Sequence, residues 1–213
     1  MREPAVAGAF YRRGRDLLRE QVERCFSHPL GPGKIPPVAK IGARSIKGAV
    51  FPHAGYEYSG PVAAHPAAAL ALDGFPPTFI IIGPNHRGRG SEIAVGTEAF
   101  QTPLGKVDID TALAQKIIGD GIEEDTVAHL EEHSIEVQLP FLQFFGQEFK
   151  FVPVCMGNQE AGAAVMLGER IASAVKGQNV VIIASTDFTH AGSGYGHPAP
   201  RGMRAGDYAR QED

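Results

Sequence analysis

Short apolar runs alternate with segments of helical periodicity along most of this 213-residue chain. The predicted strands occupy residues 46–51, 78–82, 93–95, 149–154 and 179–184, and the predicted helices occupy residues 16–26, 59–72, 110–118, 134–145 and 160–175. Strands that are apolar throughout need cover on both faces, and crossover helices between parallel strands provide it. The pattern therefore predicts a single α/β domain with a mostly parallel or mixed central sheet and helices on both faces.

Charge and cysteine content exclude several classes of protein. The 20 Lys and Arg are outnumbered by 24 Asp and Glu, which gives a formal net charge of −4 and no basic field to attract nucleic acid. Two cysteines, Cys25 and Cys155, cannot form a disulfide framework, and the first residues lack the apolar core of a secretory signal. No run approaches the roughly 18 apolar residues that span a membrane. We therefore expect a cytoplasmic protein with no nucleic-acid or membrane partner.

Three of the eight histidines follow predicted strands directly. His53, His86 and His190 lie two, four and six residues after the ends of three apolar runs. Ligands of open α/β sheets bind beyond the carboxyl ends of the strands, so these imidazoles can converge on one point. A histidine after a strand is often a turn residue bonded to the backbone, but its recurrence at three strand ends favours a site. There it acts as a metal ligand or a general base.

Other polar residues are candidates at the same edge. Asp187 could be a ligand, a partner that fixes an imidazole tautomer, or a turn residue. His133, in the segment EEHSIE, either begins a solvated helix or lies over the crevice as an acid or base. Tyr56 and Tyr58 either donate to a bound ligand or pack against their loop, and Asn85 is a further candidate for contact with a substrate.

Five motifs, in this order and spacing, resemble the Memo family, also called AmmeMemoRadiSam system protein B: PHAGYEYSG, IIIGPNHRG, TPLGKVDID, EEHSIEVQLPFLQ and STDFTHAG. The opening REPAVAGAFY is similar as well, so the resemblance runs from residue 2 to about residue 196. It implies a fold like that of the LigB-type class III extradiol dioxygenases, whose metal is non-haem Fe(II). It also implies that His53, His86 and His190 are the metal-site residues, with Asp187, His133 and the tyrosines around them.

The resemblance carries two further expectations. It implies a functional link with a radical SAM protein. Members of the family usually continue past the TDFTH motif and carry a later cysteine, in a Cys-Gly-Arg context, that completes the metal site. This chain has no cysteine after Cys155, and its polar, arginine-rich final segment shows no strand or helix pattern. We therefore expect residues 1–213 to form one Memo-like domain that lacks this C-terminal segment.

Three functions remain open at this point. The first is an iron-dependent, dioxygenase-like oxidoreductase that acts on an unidentified small molecule, with His133 and Asp187 as catalytic residues. Nitrogen and oxygen ligands with open coordination positions suit Fe(II), Cu(II) or Zn(II), and the resemblance favours Fe(II). The second is metal-assisted hydrolysis, in which the ion lowers the pKa of a bound water. The third is a non-catalytic adaptor that binds a phosphopeptide or a partner helix in the same crevice.

Overall fold

One mixed sheet organises the computed structural model, which describes residues 1–39 and 44–213. In chain order its strands are β1 (Gly48–Phe51), β2 (Thr78–Pro84), β3 (Ile93–Val95), β4 (Phe100–Thr102), β5 (Gly105–Ile109), β6 (Glu123–Glu124), β7 (Lys150–Met156) and β8 (Val180–Ser185). The α-helices are α1 (Arg15–Ser27), α2 (Tyr56–Asp73), α3 (Thr111–Ile117), α4 (Leu139–Gln143), α5 (Ala161–Ala174) and α6 (Ala205–Glu212).

The centre of the sheet is parallel. Its strand order is β1-β8-β2-β7-β3-β6, and β1, β8, β2 and β7 all run in the same direction. β3 pairs antiparallel with the end of β7, and β5 pairs parallel with its start. The apolar run of β2 is fully buried from Phe79 to Ile81, as expected for a strand covered on both faces. The predicted mostly parallel or mixed α/β sheet is confirmed.

Helices cover the sheet in two groups. α1, α2 and α4 pack together, with α2 against β1, while α3 and α5 pack together, with α3 against β7. α1 shows why the sequence folds this way, because its apolar residues Leu18, Val22 and Phe26 recur at helical spacing and are fully buried. Burying each such side chain stabilises the folded state by about 1.5–3 kcal/mol. Among the helices of the described residues, none combines the length and the apolar character needed to cross a membrane.

The long periodic segments were predictable, whereas the short strands β4, β5 and β6 and the helix α6 were not. Each predicted strand matches an observed strand to within about two residues, and Pro140 divides the predicted helix 134–145 into a 3-10 turn and α4, as expected. The β4–β5 hairpin was not predicted, because its strands are short and only partly apolar. The final segment shows no strand or helix pattern in the sequence, yet α6 forms there. Five of its eight residues favour a helix, and none is buried: Ala205, Ala209, Arg210, Gln211 and Glu212 are the helix formers.

The order of the strands places the carboxyl ends of β1, β8 and β2, where three loops begin, side by side. β1 ends at Phe51, β2 at Pro84 and β8 at Ser185, and β8 lies between the other two. Because these strands are parallel, the loops that follow them leave the sheet at the same edge. The residues that come directly after β1, β2 and β8 can therefore meet.

Candidate metal centre

The imidazoles of His53, His86 and His133 meet beyond this edge of the sheet. One ring nitrogen from each histidine lies within 4.8 Å of the other two. The ring centroids are 5.1 Å apart for His53 and His86, 5.7 Å for His53 and His133, and 4.7 Å for His86 and His133. His53 is buried, whereas His86 is exposed and forms the open side of the cluster. Three converging ring nitrogens are a donor set that first-row divalent metals accept.

Ser185 determines which nitrogen of His53 is available. The Nδ1 atom of His53 lies 3.0 Å from the hydroxyl oxygen of Ser185, and that hydroxyl donates to the carbonyl of Ser134 over 2.6 Å. The amide of Gln138 donates to the same hydroxyl oxygen over 2.9 Å. A serine hydroxyl has only one proton to donate, so Nδ1 of His53 must itself be the donor in this pair. The lone pair of His53 is therefore on Nε2.

Glu132 determines the same choice for His86. The backbone N–H of His86 donates to one oxygen of the Glu132 carboxylate over 2.6 Å, and Nδ1 lies 3.0 Å from the other oxygen. An ionised carboxylate can only accept, so Nδ1 of His86 carries a proton, and in the neutral ring the lone pair is on Nε2. The hydrogen bond to Glu132 raises the pKa of His86 above its ordinary value, although burial acts in the opposite direction.

Glu132 is itself held in the ionised form. Burial alone raises the pKa of this carboxyl group, but hydrogen bonds from the His86 imidazole and from the backbone N–H groups of Ser134 and His86 bring it down to about 2. The Glu132 side chain is almost completely buried, with a fractional exposure of 1%. A buried carboxylate with these donors is a fixed negative charge beside two histidines.

His133 is held less firmly than the other two histidines. Its backbone N–H donates to Glu132 over 2.8 Å, but its Nδ1, 3.3 Å from the same carboxylate oxygen, makes no hydrogen bond within the described residues. The ring stacks on His86 at an interplanar angle of 21° and contacts Phe10 at a centroid distance of 4.7 Å. Burial lowers the pKa of His133 to about 4 and also lowers that of His53. Both imidazoles are therefore neutral at pH 7, which is the form that binds a metal.

Asp187 connects the loop of His53 with His190. One of its carboxylate oxygens accepts the backbone N–H groups of His53, over 2.5 Å, and of Ala54, over 3.1 Å. The other oxygen lies 3.8 Å from Nε2 of His53 and 3.9 Å from Nε2 of His190. Asp187 thus holds the turn after β1 in place and faces a half-exposed imidazole on its other side.

The structure places two of the predicted residues differently from the sequence-based expectation. His133, predicted as an acid or base, lies in the cluster of possible ligand atoms together with His53 and His86. His190, predicted as a ligand, lies outside that cluster across Asp187, and its Nδ1 is 3.2 Å from the carbonyl of Phe188. Phe188 has a φ of +57°, a left-handed conformation that is uncommon for a bulky residue.

The two tyrosines in the first turn of α2, which follows the His53 loop, have different surroundings. Tyr56 is buried, and its hydroxyl donates to the carbonyl of Val137 over 2.6 Å. Tyr58, in the first turn of α2, is 86% exposed. The Tyr56 hydroxyl is thus already bonded within the protein, whereas the phenol of Tyr58 faces solvent.

Asn85 organises the loop that carries His86. Its side-chain oxygen accepts the backbone N–H groups of Arg87 and Gly88, each over 3.0 Å, and its amide nitrogen donates to the carbonyl of Arg89 over 2.7 Å. A cavity of about 530 Å³ lies beside this loop, and Asn85 and Gly88 are among its lining residues. A larger cavity of about 870 Å³ opens at the opposite edge of the sheet, where Thr78, Lys150 and Val180 begin their strands.

The burial of the Glu132 and Glu136 carboxylates was not predicted from the sequence. The interpretation of EEHSIE as the start of a solvated helix is wrong, because Glu132 and Glu136 are only 2% and 0% exposed. No α-helix begins at Ser134; a 3-10 turn from Glu136 to Gln138 precedes α4. Glu132 and His133 are adjacent in the sequence, and this adjacency could have indicated that a carboxylate and a histidine lie together in the site.

Glu132 makes stability pH-dependent. Its pKa in the folded protein, about 2, lies below the ordinary value of 4.5, so its contribution is present above pH 4.5 and is lost as the pH falls towards 2. The shift corresponds to about 3 kcal/mol. We expect the difference in unfolding free energy between wild type and E132Q, measured by urea unfolding of metal-free protein, to shrink across this range. The matched variant E131Q removes an exposed carboxylate and should show no such trend. A pH-independent difference for E132Q would contradict this account.

Comparison with known proteins shows similarity along almost the whole chain. The family model described as "Memo-like protein" matches residues 2–212. A MEMO1 family protein of Methanothermobacter thermautotrophicus is 50% identical over 195 residues, which cover 89% of this chain and 70% of the relative. Relatives in Methanopyrus kandleri and Sulfurisphaera tokodaii, also MEMO1 family proteins, are 49% and 46% identical over 195 and 198 residues. Each match covers 89% of this chain, with 69% and 70% of the respective relatives. The family model thus spans every strand of the sheet and all three clustered histidines.

Proposed function

Because this chain belongs to the Memo-like protein family, we propose that it binds a first-row divalent metal ion through His53, His86 and His133. The observation that carries the proposal is the convergence of three ring nitrogens within 4.8 Å. Nδ1 of His53 is hydrogen-bonded to Ser185, and Nδ1 of His86 is hydrogen-bonded to Glu132. Nε2 of each ring is therefore the nitrogen that is available to a metal. Such outer hydrogen bonds orient metal-binding histidines in general.

The proposed ion is Fe(II). Imidazole donors suit iron, copper and zinc alike. The resemblance to the Memo family implies a fold like that of the iron-dependent extradiol dioxygenases, and this favours iron among them. Bound Fe(II) would supply open coordination positions for O₂ and for an oxidisable substrate, so the proposed activity is that of an oxidoreductase. His86 is exposed, so a small substrate can approach the centre from this side. The link with a radical SAM protein stays a prediction.

Within this proposal His133 and His190 exchange the roles expected from the sequence. His133 becomes the third ligand because its ring is stacked on His86 inside the cluster. Asp187 keeps its predicted catalytic role, and His190 takes the role of acid or base that was expected of His133. The half-exposed His190 imidazole, 3.9 Å from the Asp187 carboxylate, can accept a proton from a substrate hydroxyl and pass it to solvent.

The proposal is tested by metal content and oxygen consumption. Protein purified anaerobically and without a histidine tag is analysed for metals, reconstituted with Fe(II) and exposed to O₂ with a panel of catechols. We expect about one iron per chain and oxygen uptake above that of an H86A variant treated identically. Protein that binds no divalent metal would overturn the proposal. Iron-loaded wild type with uptake equal to that of H86A would overturn the oxidoreductase activity and leave metal binding alone.

A further inference from the structure

The N-terminal residues contact the metal centre although they belong to none of the strands or helices that carry it. Arg2 is joined to the start of the β4 strand by backbone hydrogen bonds with Ala99 and Gln101, of 2.9 and 2.8 Å. Its guanidinium is buried, lies 4.5 Å from the centre of the Phe100 ring, and donates to the carbonyl of His129 over 2.6 Å and to that of Glu132. Arg2 therefore holds the loop that contains Glu132.

Glu136 fastens the same segment at a second point. Its fully buried carboxylate accepts the backbone N–H groups of Ala5 and Val6, over 2.8 and 3.2 Å, and the hydroxyl of Tyr11, over 2.5 Å. It also forms an ion pair of 2.7 Å with Arg2. The Glu136 carboxylate, three residues after His133, thus binds four groups from the first eleven residues of the chain.

Phe10 links two of the three histidine loops directly. Its carbonyl accepts the backbone N–H of Tyr56, the first residue of α2, over 2.8 Å, where the loop that carries His53 ends. Its ring lies 4.7 Å from the imidazole of His133 at an interplanar angle of 59°. The backbone of Phe10 is thus hydrogen-bonded at the end of the His53 loop, while its side chain packs on His133.

We propose that the segment Arg2–Tyr11 is a positioning element of the metal centre, which holds His133 at ligand distance from His53 and His86. This inference rests on the proposed metal binding. The reason is the unequal anchoring of the three rings: Nδ1 of His53 and of His86 has a hydrogen-bond partner, whereas Nδ1 of His133 has none within the described residues. The position of the His133 ring therefore depends on packing, and Phe10 supplies that packing from outside the histidine cluster.

The variant F10L tests this inference. It removes the aromatic ring from a half-buried position while keeping the backbone bond to Tyr56 and every contact of Glu136. We expect Co(II), added to the full-length protein as the probe ion, to bind roughly 10-fold more weakly, with an altered visible spectrum. In metal-free protein we expect the ¹⁵N ring signals of His133 to shift while those of His65, on α2, stay unchanged.

Two further variants separate positioning from general stability. I171V shortens a buried side chain of α5, in the other helix group, and should lower thermal stability without changing Co(II) affinity or spectrum. Y11F removes only one hydrogen bond to Glu136 and should weaken Co(II) binding in the same direction as F10L. Wild-type affinity and unshifted His133 signals in F10L would overturn the positioning role. Wild-type protein that binds no Co(II) would instead overturn the proposed function, and this inference with it.

Discussion

Replacing His53 with alanine is expected to abolish stoichiometric binding of Co(II) or Fe(II), with a loss of affinity greater than about 100-fold. His53 is the most buried ring of the cluster, and the hydrogen bond between its Nδ1 and Ser185 leaves Nε2 as the nitrogen that binds the metal. Changes to residues that merely orient a ligand cost roughly 10- to 100-fold, so the loss of the ligand itself should exceed that range. Competition titration measures the affinity, and mass spectrometry of the metal measures the occupancy.

The same titration decides between the two candidates for the third ligand. H133A should behave like H53A, because His133 lies within the cluster, and H190A should retain the ion, because His190 lies across Asp187. H65A is the matched control, since His65 is an exposed histidine of α2 that bonds to the carbonyl of Leu30. Full occupancy in H53A and H133A would show that this cluster is not the metal site.

Replacing Glu136 with alanine is expected to destabilise the protein by about 3–5 kcal/mol, the cost of removing one partner of a buried ion pair. The substitution leaves the Arg2 guanidinium, the Tyr11 hydroxyl and two backbone N–H groups buried without their acceptor. Urea unfolding of metal-free protein measures the change. Because a small domain has only about 5–15 kcal/mol of stability, we expect E136A to lose a large part of it.

The matched control for this prediction is E20A. Glu20 forms an exposed i,i+4 ion pair with Arg24 on the surface of α1, at 3.6 Å. Exposed pairs of this kind contribute about 0.3–0.5 kcal/mol, so E20A should be nearly neutral. A loss of stability in E136A as small as that in E20A would contradict the structural importance of the buried network.

The sequence alone was sufficient for the α/β fold and for two of the three histidines in the cluster. Uninterrupted apolar strands and amphipathic helices produce local patterns that can be read within about ten residues. His53 and His86 follow such strands directly, so their place at the carboxyl edge of the sheet follows from the strands that precede them. Pro140, in the first turn of α4, and Asp110, whose side chain accepts the backbone N–H of Leu113 at the start of α3, are local signals of the same kind.

The third member of the cluster and its surroundings were decided by the tertiary structure. His133 follows no strand, and it reaches His53 and His86 only because the loop before α4 folds back over the edge of the sheet. His190 does follow a strand, yet the chain turns at Phe188 and leaves it on the far side of Asp187. Arg2 and Glu136 are more than 130 residues apart in the chain, and their burial as a pair depends on packing between distant segments. Local periodicity carries no information about such contacts, because they exist only once the sheet, the helices and the N-terminal segment have come together.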